Sequence, residues 1–254
     1  MSKSEVGPSA RTTSRVAFAD GATAGVGSLP HLDPAAAAAF AIGEFDIATI
    51  PTLPHRSSEE LMLAQALVGL PGVRLAGDGS FVADSAAVKP HATVTTDFER
   101  EAFAGMRAFL DLAAKVRLDG AAIKWQFVGP VTLGVALQRA GLDRETAFDM
   151  ALSTVRQRLA DISAVVSAAL PNSQQMVVLD EPWFAELMHP GFPIPPDEAI
   201  DRISSAMAAL PADTLAGVHC CSPCDIATLL ACGPNVVSLP VSPAGSSGMD
   251  TYFS

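Results

Sequence analysis

The chain has 254 residues, 49% of them hydrophobic and only 17% charged, enough apolar sequence to bury a sizeable core in one large α/β domain or two small ones. Its formal charge of −11 argues against nucleic acid and anionic membranes as partners, though a local cationic pocket can still take a small anion. No apolar run reaches the roughly 20 residues of a membrane helix, and residues 1–20 carry no apolar segment that would make a signal peptide or anchor. That stretch is expected to be a disordered N-terminal arm.

Taken in order, residues 21–30 read as a short buried strand ending in a small-residue loop. Asp33-Pro34 gives an N-cap followed by proline at the first helical position, and a run of alanines carries the helix on. Residues 45–51 form a second strand, and Ser57-Ser58-Glu59-Glu60 reads as the capped start of a helix reaching residue 70. Gly77-Asp78-Gly79 between two apolar triplets predicts a hairpin. Residues 97–116 are helical, with Phe103, Met106, Leu110 and Ala113 on one face. A third strand over 121–128 ends in Gly129-Pro130 and leads into a short helix over 132–140. Residues 145–170 carry the clearest periodic stripe: Phe148, Leu152, Val155, Leu159, Ile162 and Val166. A fourth strand over 175–179 ends in Asp180-Glu181-Pro182. A helix over 196–210, a fifth strand over 215–220, a helix over 225–231 and a sixth strand over 236–239 complete the pattern. Residues 242–254 are an irregular tail.

Strands alternating with helices, each strand apolar on both faces, predict a parallel sheet with helices outside it. Special residues gather at the strand ends: Gly27-Ser28, Thr52, Gly129-Pro130, Asp180-Glu181 and His219 to Cys221. That end carries the chemistry both in a (β/α) barrel and at the switch point of a doubly wound sheet.

The segment that draws most attention is Leu215–Asp225, LAGVHCCSPCD. Side chains alternate along a strand, so His219 and Cys221 share one face and Cys220 takes the other. Imidazole and thiolate suit zinc. The same residues also allow a Cys221-Ser222-Pro223-Cys224 redox pair, or plain buried thiols. All four cysteines fall between positions 220 and 232, which is no disulfide framework and points to a reducing, cytoplasmic setting.

Five strand-end motifs resemble, in this order, the C-terminal catalytic domain of cobalamin-independent methionine synthase. They are Gly25-Val26-Gly27-Ser28-Leu29-Pro30, Ile50-Pro51-Thr52-Leu53-Pro54, Phe127-Val128-Gly129-Pro130-Val131-Thr132, Leu179-Asp180-Glu181-Pro182 and Val218-His219-Cys220-Cys221. The superfamily also contains uroporphyrinogen decarboxylase and corrinoid-dependent methyltransferases. The resemblance spans residues 21–241 and implies a TIM (β/α)8-type barrel, of which about six β/α units are present. It implies a zinc ion that activates homocysteine or a similar small thiol toward a methyl group carried on 5-methyltetrahydrofolate. By motif position His219 and Cys221 become metal ligands, Gly27 and Ser28 hold the substrate carboxylate, and Asp180, with Glu181 beside it, receives the substrate ammonium. Asp180 is then the residue at the reacting centre.

The chain departs from the family in three places. Thr52 stands where relatives carry an acid, Val237-Ser238-Leu239-Pro240-Val241 offers no glutamate ligand, and no late cysteine follows. The expectation is therefore a C-terminally incomplete or divergent barrel, prone to self-association, that holds zinc weakly; Cys224 or Cys232 are the available substitutes. The alternative function is a decarboxylase-like or non-catalytic ligand-binding barrel without metal. Trp125 and Trp183 could stack a pterin but read more simply as core. His31, His55 and Arg56 sit on loops at the presumed active face, where they could meet an anionic tail or only water; His189 reads as structural.

Overall fold

The computed structural model describes residues 18–76, 80–89, 93–118 and 120–241. Residues 1–17 of the expected arm, the hairpin tip 77–79 and the tail 242–254 lie outside them.

The elements run α1 (Pro34–Gly43), β1 (Ala48–Thr49), a 3-10 turn Ser58–Glu60, α2 (Met62–Leu67), β2 (Val73–Leu75), β3 (Phe81–Ala83), α3 (Ala104–Lys115) and β4 (Ala122–Val128). They continue with α4 (Pro130–Arg139), α5 (Arg144–Ala169), β5 (Gln174–Asp180), α6 (Pro196–Met207), β6 (Leu215–His219), α7 (Ile226–Ala231) and β7 (Val236–Ser238). Local chemistry sets the helix starts. The Asp33 carboxylate accepts from the Ala35 and Ala36 N–H groups, Asp143 accepts from Thr146 N–H, and Asp225 accepts from Thr228 N–H. Each satisfies donors that a helix leaves unpaired at its N-terminus.

The fold is α/β, with a five-stranded parallel sheet in the order β1-β4-β5-β6-β7; β2 and β3 form a separate antiparallel hairpin. The first strand expected over residues 21–30 is reduced to two isolated parallel bridges, Ala24 to Ile47 and Ser28 to Thr52, which extend the sheet beyond β1. Gly27, at φ +122°, interrupts the extended run between them. Strand order thus follows chain order without the reversal that defines a doubly wound sheet.

The two faces of this sheet bury different things. Ile123, Trp125 and Phe127 of β4, Val177 and Leu179 of β5 and Val218 of β6 join one large cluster with residues of every helix, from Ala38 in α1 to Leu229 in α7. On the opposite face Ile47, Ala122, Met176, Val178 and Leu215 form a small cluster that takes no helical residue among those described. Among the described residues, helices therefore pack against one face only. Above the small cluster, toward the carboxyl ends of the strands, the alternation places Lys124, Gln126, Asp180, His219 and Ser238.

Candidate functional site

The sheet register lines up the strand ends. Val128 sits beside Asp180, Asp180 beside His219, and His219 beside Ser238. A cavity of about 320 Å³ opens there, lined by Ser28 and Thr52 from the first two strand ends, Gln126 and Asp180 from the middle of the sheet, and His219 and Cys221 from β6. A second cavity of about 250 Å³ runs beneath it along the helix-free face, and the two share Val26, Gln126 and His219. Ala24 and Val236, from the two ends of the sheet, both line this lower cavity. The sheet is therefore curved enough for its edges to face one space.

Ser28 reaches the upper cavity because the loop before it is pinned. Thr52 N–H donates to the Gly27 carbonyl at 3.0 Å, and Leu29 N–H donates to the Thr52 carbonyl at 2.9 Å. A Cβ on Gly27 would lie 3.2 Å from the Gln126 side chain, and its positive φ disfavours any other residue. Lys124 supplies the remaining ties. Its buried ammonium donates to the carbonyls of Gly25 (2.8 Å) and Val26 (3.2 Å) and to Gln126 Oε1 (2.8 Å), which uses all three of its protons. Gln126 then passes the contact on, its Nε2 donating to Asp180 Oδ2 at 2.9 Å.

Asp180 is only 7% exposed, and its second oxygen, Oδ1, has no hydrogen-bond partner. Burial pushes its carboxyl up to about 7, against the opposing pull of the Lys124 charge and the Gln126 hydrogen bond. Burial likewise drives Lys124 down to about 8, with Asp180 opposing it. A buried acceptor left open at a cavity wall is an invitation to a donor. Ammonium and hydroxyl groups both qualify.

His219 is half-buried. Its Nδ1 lies 3.1 Å from the Ser238 carbonyl oxygen and 2.9 Å from Ser238 Oγ. A carbonyl only accepts, so Nδ1 carries the proton and Nε2 keeps its lone pair. Burial lowers the imidazole pKa, against the Ser238 carbonyl hydrogen bond that raises it, and the Lys124 charge adds to the lowering, which favours the neutral ring. Cys221 is exposed at the same cavity, whereas Cys220 is fully buried in the large cluster, so the two thiols do take opposite faces. Among the described residues no group of three histidine, cysteine or carboxylate side chains stands close enough to hold a metal ion. His219 and Cys221 are thus a pair of candidate ligands without a third.

Glu181 occupies a different place. It is fully buried, accepts from Val131 N–H (2.9 Å) and Thr132 N–H (2.7 Å) at the start of α4, and does not line the cavity. Burial raises its carboxyl to about 7, against those hydrogen bonds. Gly129 makes the approach possible, since a Cβ there would fall 2.1 Å from Glu181 Oε1. Trp125 is core, its indole N–H donating to Gln175. Trp183 lies under the Arg139 guanidinium, 3.8 Å away, and lines a groove separate from the site. Arg56 pairs with Glu60 (3.4 Å) and Glu101 (2.5 Å). His189 pairs with Glu186 on the surface, and the His31 ring lies tilted against Phe40, centroids 5.3 Å apart.

Lys124, Gln126, Glu60 and Ser238 were not foreseen as site residues. The signal for two of them was present: Lys124 and Gln126 stand two apart within an otherwise apolar strand, which puts both on one face. Glu60 reads from sequence as part of a helix start, yet it lines the cavity and accepts from Leu53 N–H at 2.8 Å. No family model matches the chain, and no curated protein matches it closely enough to be reported as a relative.

Proposed function

We propose that the chain is a methionine-synthase-like barrel protein whose strand-end cavity binds a small zwitterionic thiol such as homocysteine for methylation by a folate-type donor. The observation that carries this reading is the single cavity joining Ser28, Asp180, His219 and Cys221, contributed by three different strand ends. Barrel enzymes build their sites in this way. The ordered strand sequence, the helix-free inner face and the two sheet edges bordering one space support a singly wound, barrel-type closure over a doubly wound one. In this reading the Gly27-Ser28 loop takes the substrate carboxylate. Asp180 Oδ1 accepts from the ammonium, and the thiol points toward Cys221. His219 Nε2 and Cys221 Sγ are the groups that would hold a zinc ion, which would activate the substrate thiol by lowering its pKa. Zinc sites use at least three protein ligands, so these two alone hold it weakly, and no step of the reading depends on it.

None of the described helices is long and apolar enough to cross a membrane, and we place the chain in a reducing compartment such as the cytoplasm on the strength of its free thiols. Among the described residues β7 pairs on one side only, an open edge that favours self-association.

The test is transfer of a labelled methyl group from 5-methyltetrahydrofolate to homocysteine, with zinc supplied, in wild type and Asp180→Asn. Transfer in wild type that falls at least about a hundredfold in the variant supports the reading. A second reading, a metal-free ligand-binding or decarboxylase-like barrel, is favoured by the missing third ligand. It predicts binding without transfer, with or without zinc.

A further inference from the structure

The groove beside Trp183 measures about 420 Å³ and lies between the end of α4 and the chain from Trp183 to Pro193. Both walls are held from beneath. Trp183 N–H donates to Thr132 Oγ1 of α4 at 3.4 Å, and Phe184, Leu187 and Ile194 are buried in the large cluster. Gly191, at φ +93°, turns the chain between His189 and Phe192, and Phe192 N–H donates back to the His189 carbonyl at 3.1 Å. Arg139, the last residue of α4, lays its guanidinium on the Trp183 ring, 3.8 Å from the centroid. The chain has 27 acidic residues against 16 basic ones, and Arg56, Arg100, Arg144 and Arg202 each pair with carboxylates. Arg139 does not: among the described residues its guanidinium makes no hydrogen bond and no ion pair. Glu186, the acid at the same groove, lies 3.6 Å from His189 instead.

We propose that this groove is a second ligand site, which takes a small aromatic carboxylate. The proposal stands apart from the methyl-transfer reading, since no residue of the groove lines the strand-end cavity. The indole occupies one face of the guanidinium, so the plane is set and the N–H edge remains for a ligand. A carboxylate matches that edge with two parallel hydrogen bonds. An arginine already held in one plane also loses less freedom on binding than a mobile one. The remaining wall is apolar, built from Val135, Pro190, Phe192 and Pro193. It suits a ring, for which Phe192 offers an offset or edge-on partner. Glu186 repels a carboxylate placed beside it, which leaves Arg139 as the anion's end of the groove. The volume falls within the roughly 300–1,000 Å³ of small-molecule sites.

Benzoate is the probe, titrated into the isotope-labelled full chain while the indole N–H signals are followed by nuclear magnetic resonance. The chain has 2 tryptophans, and Trp125 is sealed in the core, so one signal reports the core and the other the groove. Trp183→Phe assigns them. Benzoate is expected to shift the Trp183 signal saturably and to leave that of Trp125 in place. Arg139→Gln should weaken this binding at least about tenfold, and Arg139→Lys, which keeps the charge but loses the planar fork, by a smaller factor. An unmoved Trp125 signal shows that each variant is folded. Benzyl alcohol, the same ring without the charge, should shift nothing at equal concentration. Asp180→Asn should bind benzoate as wild type does, which separates this site from the strand-end cavity and from the methyl-transfer reading. No Trp183 shift in wild type, an equal shift in both Arg139 variants, an equal shift with benzyl alcohol, or loss of binding in Asp180→Asn overturns the proposal.

Discussion

The two faces of the sheet are made by the same strands and obey opposite rules. Along β4, Ile123, Trp125 and Phe127 pack against helices, while Lys124 and Gln126 between them face a cavity. Along β5, Val177 and Leu179 are core, and Asp180 ends the strand with an unpaired oxygen. At the end of β6, Cys220 is sealed in and His219 lines the cavity. The helix face is apolar and close-packed, so its contribution is stability. The cavity face holds buried charge whose desolvation opposes folding. That cost is retained at a site able to use it.

The difference is broken most strongly from the helix side. Trp125→Ala should destabilise the chain by about 3–5 kcal/mol, through the lost packing and the orphaned Gln175 oxygen, as read by urea unfolding. Lys124→Met should cost slightly less, about 3 kcal/mol, because it leaves the Gly25 and Val26 carbonyls and the Asp180 carboxylate without their buried cation. Unlike the tryptophan change, it should also release the Gly25–Ser28 loop, seen as faster amide exchange there than in α5. Asp180→Asn should do the reverse of both, leaving stability within roughly 1 kcal/mol of wild type, or raising it, while ligand binding is lost.

Most of this architecture was legible in the chain. The helix starts at Asp33, Asp143 and Asp225 carry their own caps, and the stripe from Phe148 to Val166 fits no period but a helix. Opposite faces for Cys220 and Cys221 followed from strand alternation alone. The polar network did not follow as readily. Lys124 and Gln126 lie in a stretch whose apolar content reads as a strand buried on both faces. Only the tertiary arrangement shows that one of those faces is a cavity. The first strand misled for a related reason: its small residues suit a strand, but Gly27 takes a conformation that breaks the ladder and presents Ser28 instead.

The smallest expected effect is on pH dependence. Burial raises Asp180 and Glu60 to about 7 in the folded chain, whereas unfolded carboxyls titrate near about 4. Between those values the folded state binds more protons than the unfolded one, so stability falls as pH rises through this window and levels off above it. Thermal midpoints should therefore be higher at pH 5.5 than at pH 7.5 by a few degrees, and Asp180→Asn should flatten part of that slope. A midpoint that does not fall over the same interval would mean that both carboxylates are charged when buried.

On the proposed function, the open oxygen of Asp180 makes the strand-end cavity a receptor for a small zwitterionic thiol. Isothermal titration of homocysteine into wild type and Asp180→Asn, at matched pH and zinc concentration, tests it most directly. Saturable binding to wild type is expected, weakened at least about tenfold in the variant by loss of a buried charge-assisted hydrogen bond. Equal binding by the two proteins, or none by wild type, would contradict it.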